Sequence, residues 1–426
     1  MNTLTFKTFS LAIILGMILA ACSPSASLSM AESSKSRETY PTVAGDDINN
    51  LVDGNNAFAL EIYNTLRSEN GNLILSPYSI SLALAMTYAG ARGETESQMA
   101  QTLHFPSQDK AHPAFNALDL ALENAPVSVD KNQEPMKLNI ANAIWSEQTV
   151  PFQQDFLDAI ALNYGAGIHL ADFIHQAEPA RIEINNWVSD KTEDKINDLL
   201  PKDSVGSDTR MVLVNAIYFK ADWLAQFDAN STGDAPFYLI DGTEVTAKTM
   251  HESMYIPYTQ GDGYQAVELA YAGGTAAMDI IVPDAGNFEA FESTLNKETL
   301  DGILNGMQPT SVSLSLPKFE FTKDFGLSDA FVGLGMSNAF DSDLADFSGM
   351  TGKKDLFIGN VIHKAFVAVD EEGTEAAAAT AVIMEATSAM RQDVNLQIDR
   401  PFIFIIRDTV NGQILFIGRV MNPAGQ

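Results

Sequence analysis

The histidines and the single cysteine are the residues whose types best suit nucleophilic, acid–base or metal chemistry. The six histidines are His104, His112, His169, His175, His251 and His363. None belongs to an HExxH zinc motif, and the stretch HESMY that begins at His251 lacks the second histidine. The chain has no GxSxG elbow, phosphate-binding loop or GxGxxG fingerprint. A Ser/His/Asp triad stays open, but an enzyme is the weaker hypothesis, and we expect no cofactor and no metal.

Cys22, the only cysteine, stands in a processing signal. An apolar stretch follows Lys7 and ends in Leu19-Ala20-Ala21-Cys22, which resembles a bacterial lipobox. Residues 1–21 are then a lipoprotein signal peptide, and Cys22 is a lipidated, membrane-anchored N-terminus. Because Ser23 resembles an outer-membrane sorting context, we expect a bacterial envelope protein that faces the periplasm or the exterior. The alternative is an ordinary secretory signal with a chance cysteine.

The composition is that of an acidic globular protein. The 426 residues are 46% hydrophobic and 19% charged, and this length suggests two or three domains of roughly 150 residues. A formal net charge of -30 without a basic run argues against binding nucleic acid or anionic lipid headgroups, so the lipid anchor is the only membrane contact that we expect. The serine-rich residues 22–46 predict a flexible tether with a reach of ~25–30 Å. The folded part is then 47–426.

Helical patterns come before most strand-like patterns, which predicts the α+β class. Ser76-Pro77 suits the start of a helix, and the residues that follow are apolar on nearly all sides, as in a buried helix. Runs rich in β-branched and aromatic residues predict large mixed or antiparallel sheets. These runs are RMVLVNAIYFKADW, AMDIIVPD, SVSLSLPKFEF, AFVAVD, RPFIFIIRD and ILFIGRV.

The stretch EEGTEAAAATAVIMEATSAMRQD, residues 371–393, has a period of two from Thr374 onward. Every even-numbered position from 374 to 386 is uncharged, whereas Glu375 and Glu385 fall on the odd face. Such a segment can lie as a strand over an apolar core, and from Thr374 to Thr387 it would extend ~45 Å. Alanine also favours helix, and the composition suits a tether. The pattern alone leaves helix, tether and strand open.

The rest of the chain resembles the serpin family, from about Asp47 to Pro423. The motifs that carry the resemblance are NLILSPYSISLALAMTYAGARGET, RMVLVNAIYFKADW, SLPKFEF, ADFSGM, VIHKAFVAVDEEGTEAAAAT and RPFIFIIRD followed by ILFIGRVMNP. The resemblance implies one large domain with three β-sheets, about nine helices and an exposed reactive-centre loop. It overrides the domain count that length alone suggests.

The resemblance assigns residues 371–393 to the reactive-centre loop, the bait for a protease. The hinge of that loop is Glu371, Glu372, Gly373, Thr374, Ala376, Ala377, Ala378 and Ala379. The family's usual spacing puts the scissile bond at Thr387-Ser388. Because the chain from Ser388 to Pro401 is longer than the family's pattern, Ala386, Met390 and Arg391 remain alternatives.

Two further groups of residues match family motifs around the main sheet. The shutter, which lets the sheet part, matches Ser76, Ser79, Asn215 and His363. The breach, where loop insertion begins, matches Trp223, Lys318 and Glu371. Each has a simpler interpretation: Ser76 as a helix cap, His363 as a satisfied buried histidine, and Lys318 as a surface lysine.

The resemblance implies a monomeric, irreversible suicide-substrate inhibitor of serine proteases. Its partner is the target protease, held as a covalent acyl-enzyme after loop cleavage and insertion. Thr387 suits elastase-like or subtilisin-like proteases, papain-like cysteine proteases stay open, and a cut at Arg391 would favour trypsin-like enzymes. The alternatives are a non-inhibitory serpin that acts as a binding or storage protein, and an unrelated lipoprotein enzyme.

Overall fold

The computed structural model describes residues 29–124, 133, 136–374 and 394–425. Its α-helices are α1 Gly45–Leu66, α2 Pro77–Tyr88, α3 Gly93–Leu103, α4 Gln108–Glu123, α5 Gln154–Tyr164, α6 Phe173–Lys191, α7 Phe288–Glu292, α8 Lys297–Gly306, α9 Ser328–Gly333 and α10 Ser348–Thr351. Its strands are β1 Ser29–Ala31, β2 Leu73–Leu75, β3 Lys137–Glu147, β4 Ile168–Ala171, β5 Met211–Asp222, β6 Gly233–Tyr238, β7 Glu244–Gly261, β8 Tyr264–Ala270, β9 Ala276–Pro283, β10 Gln308–Pro317, β11 Phe319–Gly326, β12 Val361–Val369, β13 Gly373–Thr374, β14 Val394–Gln397, β15 Phe402–Asp408 and β16 Ile414–Val420. The α+β class is confirmed.

Within the described residues, the main sheet has seven strands in the order β1-β4-β3-β5-β13-β12-β11. Its long central strands β5 and β12 are parallel, and they bond directly to each other where residues 213–218 face residues 361–366. At the far end of β5 the short strand β13 lies between the two and pairs antiparallel with both. The two central strands are therefore hydrogen-bonded directly to each other over residues 213–218 of β5, and β13 already separates them at one end.

The second sheet has nine strands, eight of them in the order β14-β10-β7-β8-β9-β15-β16-β2, with β6 paired to β7. The 18-residue β7 pairs with β6 and β10 and, at its end, with β8. Because one long strand joins both halves, two of the three expected sheets form a single hydrogen-bonded network in the part of the chain that the structure describes.

Both faces of the main sheet are covered. Along β5 the odd-numbered apolar residues, such as Ile217, Phe219 and Ala221, pack into the central core between the two sheets. The even-numbered residues, such as Val214 and Tyr218, pack into a second core that α6 covers. A strand buried on both faces reads as a continuous apolar run, which explains the sequence of β5. Any strand added beside β5 would also have to fit under α6.

The prediction of a flexible tether over residues 22–46 is wrong for the part that the structure describes, which begins at Ser29. Ser29–Ala31 form β1, the edge strand of the main sheet, which pairs with β4. Farther along, the guanidinium of Arg37 donates to Asn116 and to the carboxylates of Asp119 and Glu123 on α4. Backbone pairing and one cation hold this segment, and neither requires the large apolar residues whose shortage suggested a tether. Residues 22–28 and the signal peptide lie outside the described residues.

Among the described residues, no helix combines the length and the apolar character that crossing a bilayer requires.

Candidate functional site: hinge, breach and shutter

The described part of the hinge is residues 371–374, and its last two residues form β13. Gly373 and Thr374 pair with Asp222 and Ala221 of β5, while Thr374 also pairs with Val369 of β12. A Cβ on Gly373 would lie 2.1 Å from the backbone oxygen of Ala221, so only glycine fits this close approach. Thr374 is 1% exposed. The start of the hinge is therefore already part of the main sheet.

A buried tyrosine receives the Thr374 side chain. The Thr374 hydroxyl lies 2.7 Å from the Tyr271 hydroxyl, within a hydrogen bond. The Tyr271 ring stacks on Trp223, with ring centres 4.6 Å apart and planes 11° from parallel. Burial raises the pKa of Tyr271 well above its usual range, so the hydroxyl stays protonated. The pocket accepts a small hydroxyl-bearing side chain. Sequence reasoning missed Tyr271, because it follows β8, far from the loop in the sequence.

The breach residues lie together around the turn before β13. Lys318 Nζ is 2.5 Å from Glu371 Oε2, and Thr232 Oγ1 donates to Glu371 Oε1 at 2.8 Å. Burial of Glu371 disfavours its charge, but the hydrogen bonds from Lys318 and Thr232 outweigh burial and lower its pKa below the usual 4.5. Because the Lys318 side chain is 35% exposed, water screens this pair, which contributes little stability alone. The position of this ion pair suits a contact that holds the start of the hinge in place.

The shutter residues form one buried hydrogen-bonded chain between α2, β5 and β12. The Ser76 backbone N–H donates to His363 Nε2 at 3.0 Å, and the other ring nitrogen, Nδ1, contacts Asn215 Oδ1. Asn215 Nδ2 in turn donates to Ser79 Oγ at 2.7 Å. Ser76 also caps α2 by accepting from the Ser79 N–H, so the cap interpretation and the network hold together. The structure brings the four residues together; their role in sheet opening stays a prediction.

Sequence reasoning missed one member of this chain, Asn142 on β3. Its Oδ1 accepts from Asn215 Nδ2 at 2.6 Å and from Ser79 Oγ at 3.1 Å, and its Nδ2 donates to the Ser79 carbonyl at 2.9 Å. Asn142 is also the residue directly opposite Asn215 in the β3–β5 ladder. An asparagine within an apolar strand was the available signal, because a buried amide must find partners.

His363 is neutral in the folded protein. Its Nε2 accepts a backbone N–H, so the proton is on Nδ1, which donates to Asn215. Burial lowers the pKa of His363 from 6.5 to about 3, and its contact with Asn215 only partly opposes this. A second proton would have no acceptor at Nε2.

We expect acid to destabilise the fold through His363. Its pKa is depressed on folding, so the unfolded chain takes up the proton first, and stability is lost as the pH falls from about 6.5 toward about 3. At pH 5 the loss from this group is ~2 kcal/mol. The measurement is Tm between pH 7 and pH 4. At pH 7 the Tm of His363→Gln should be lower than that of the wild type, but it should fall less steeply as the pH is lowered. The Tm of the exposed-residue control His175→Gln should follow the wild type. Equal slopes of Tm against pH for all three proteins would contradict the assignment.

The remaining predicted loop residues lie outside the described residues. These are the hinge alanines Ala376–Ala379, the scissile pair Thr387-Ser388, and the alternatives Ala386, Met390 and Arg391. The described chain begins again at β14, which pairs in parallel with β10 of the second sheet. The loop therefore joins the main sheet to the second sheet.

Residues 53–423 match the model of the family described as serpin (serine protease inhibitor). The chain belongs to the serpin family. It is 38% identical over 383 residues to a leukocyte elastase inhibitor of Xenopus laevis, covering 88% of this chain and 100% of that protein. It is 36% identical to an uncharacterised serpin-like protein of Thermococcus kodakarensis, covering 94% and 93%. The native state of the thermophilic serpin tengpin is similar in structure, with a TM-score of 0.79 at 28% identity, covering 92% and 97%.

This membership confirms the resemblance and the serpin fold, and it makes the protein a member of a family of serine protease inhibitors.

Proposed function

We propose that this serpin is an irreversible suicide-substrate inhibitor of serine proteases that works by loop cleavage and insertion. The observation that carries the proposal is β13, two hinge residues lodged between β5 and β12. Because β13 has begun to form between β5 and β12 at one end, the same strand can continue if these two strands separate. The main sheet and hinge thus supply a place and a starting point for a further strand.

The register of β13 fixes what each later residue would face. Thr374 pairs with Ala221 and Val369, and in an antiparallel ladder each step along the loop moves one residue back along both neighbours. Continued insertion would set Ala376–Ala379 opposite residues 219–216 of β5 and 367–364 of β12. Thr380 would then come level with Asn215 and His363, at the shutter.

The same register explains why the hinge needs small residues on both faces. Thr374 and Ala221 point into the central core, so the even-numbered loop residues would follow them. The odd-numbered residues would lie in the second core under α6. Ala377, for example, would enter between Tyr218 and Phe366, whose rings are already 6.4 Å apart in that core. A bulky residue there would overpack the space.

The two glutamates of the odd face also fit this register. Glu375 would lie opposite Lys220, and ten residues later Glu385 would lie opposite Arg210, just before β5 begins. Opposite charges directly across a ladder contribute roughly 0.2–1 kcal/mol each. A shift of one residue would place both glutamates in contact with the central core, so the charges favour a single register.

Trapping follows from acyl transfer interrupted by insertion. The serine oxygen of the protease attacks the Thr387 carbonyl, the bond to the Ser388 nitrogen breaks, and the Ser388 amine leaves with a proton, which leaves an ester between the two proteins. The freed strand inserts and gains roughly ten backbone hydrogen bonds at ~0.5–1.5 kcal/mol each. The inserting strand pulls the acylated protease with it and distorts the oxyanion hole of the protease, so deacylation stops.

We propose elastase-like or subtilisin-like proteases as targets. A small residue at Thr387, preceded by Ala386, suits their pockets, and the Xenopus laevis relative is named a leukocyte elastase inhibitor. Papain-like proteases and a cut beside Met390 or Arg391 are the competing assignments.

Incubation with pancreatic elastase tests the proposal. We expect a 1:1 complex that survives boiling in SDS, and a released C-terminal fragment that begins at Ser388 by mass spectrometry. Elastase whose serine has been blocked beforehand is the control and should give neither. Cutting of the loop without any stable complex would reject inhibition and favour the non-inhibitory alternative.

We further propose that Cys22 carries the lipid and holds a monomer at the bacterial cell envelope. The seven steps from Cys22 to Ser29 span at most ~25 Å. Ser29 pairs with Leu170, and the ladders continue through Ser146 to Met211, the first residue of β5. The hinge joins at Asp222, eleven residues farther along β5, or ~36 Å. This geometry supports a lipid anchor at one end of the main sheet and the reactive-centre loop at the other end.

A further inference from the structure

Asp370 lies in the turn that joins β12 to β13, next to the breach. Its Oδ1 accepts hydrogen bonds from the backbone N–H groups of Glu372, at 2.9 Å, and Gly373, at 3.2 Å. Its own N–H donates to the Gly373 carbonyl at 3.0 Å. The carboxylate therefore closes the four-residue turn between Val369 and Thr374 from the inside.

The outside of this turn is fixed by the segment after β5. The carbonyls of Asp370 and Glu372 accept from Trp223, the first from the indole Nε1 at 3.0 Å and the second from the backbone N–H at 2.8 Å. The Glu371 carbonyl accepts from the Phe227 N–H at 2.9 Å. Three successive carbonyls are thus anchored to residues 223–227. Because these bonds fix the outside of the turn, the bonds to the Asp370 carboxylate set the direction in which the chain continues into β13.

We propose that Asp370 is a positioning residue for strand insertion, which holds the turn in the shape that registers Thr374 with Ala221 and Val369 before the loop is cut. This inference rests on the proposed function. The first pair of a new strand costs chain entropy that later pairs do not repeat. Because the turn is closed beforehand, insertion starts without that cost and competes better with deacylation. In this role Asp370 would act through the hinge backbone to which it bonds, and not through a contact with the protease.

The test incubates each variant with pancreatic elastase and measures the ratio of cut serpin to serpin trapped in the complex. Asp370→Ala should raise the ratio of cut to trapped serpin about tenfold, equivalent to ~1.4 kcal/mol of barrier, while the rate of the first loop cut stays unchanged. Asp370→Asn should stay close to the wild type, because its amide oxygen accepts the same two bonds. Asp370→Glu keeps the charge but moves the oxygen, so it should resemble Asp370→Ala. Asp324→Ala, an exposed change on β11 of the same sheet, is the control.

The outcomes separate this inference from the proposed function. If the wild type forms no complex, the proposed function is wrong, whatever the variants do. If the wild type traps and Asp370→Ala and Asp370→Glu trap equally well, the function stands and the role of Asp370 is wrong. An Asp370→Asn variant as poor as Asp370→Ala would also overturn it, because the acceptor geometry would then not matter.

Discussion

Replacing Thr374 with arginine should leave a serpin that proteases still cut but that no longer traps them. Thr374 is 1% exposed, its hydroxyl bonds to Tyr271, and Trp223 stacks on that tyrosine. An arginine has no room there, and burying its charge without a partner costs several kcal/mol. The hinge would then leave the sheet, and insertion would have no first residue pair from which to start. Deacylation would therefore be faster than insertion.

The measurement is the fraction of elastase that remains in an SDS-stable complex, together with the rate of loop cutting. We expect trapping to fall by at least about a hundredfold, which corresponds to ~2.7 kcal/mol, while the cutting rate stays within about twofold. Thr374→Ser should keep trapping, since it retains a small hydroxyl. Thr322→Arg, an exposed change on β11, is the matched control. Undiminished trapping by Thr374→Arg would count against insertion through this hinge.

The sequence predicted what one face of the hinge strand contacts but not what the other face contacts. The period of two predicted an apolar core under the even-numbered residues. The burial of Thr374 beside Ala221 agrees with this at the one described position, and the rest stays a prediction. The odd face carries both glutamates, and nothing in the sequence indicated what would cover it. The second core, which would cover that face, includes residues of α6, distant in sequence, so no local pattern could have revealed it.

The shutter illustrates the difference between a motif and a network. Ser76, Ser79, Asn215 and His363 came from family motifs, and the structure brings them together. Asn142 completes the chain but lies on β3, where its pairing with Asn215 depends on strand register rather than on local spacing. Register between distant strands is a tertiary property, so it could not be read from one sequence.

The N-terminal segment shows what composition misses. A serine-rich stretch without large apolar residues predicts disorder because it cannot bury enough surface. Residues 29–38 are instead held by backbone pairing with β4 and by the cation of Arg37 against two carboxylates of α4. Both partners are elements that fold elsewhere in the chain, and composition says nothing about them.

Severing the loop should greatly stabilise the molecule. In the register of β13, residues 374–384 would have partners along β5 from Ala221 back to Met211. Roughly ten new hydrogen bonds at ~0.5–1.5 kcal/mol each would then raise Tm by about 5–20 °C. A zinc metalloprotease suits the cut, because it forms no acyl-enzyme and so leaves a free, nicked serpin. Nicked Thr374→Arg should gain far less, which separates insertion from any general effect of the cut.

The most direct test of the whole account is therefore the thermal melting of intact and nicked wild-type protein side by side. We predict that the nicked form melts at least about 5 °C higher than the intact form. A nicked form that melts at the same temperature as the intact protein, or below it, would show that the main sheet gains nothing from another strand, and the proposed mechanism of inhibition would be wrong.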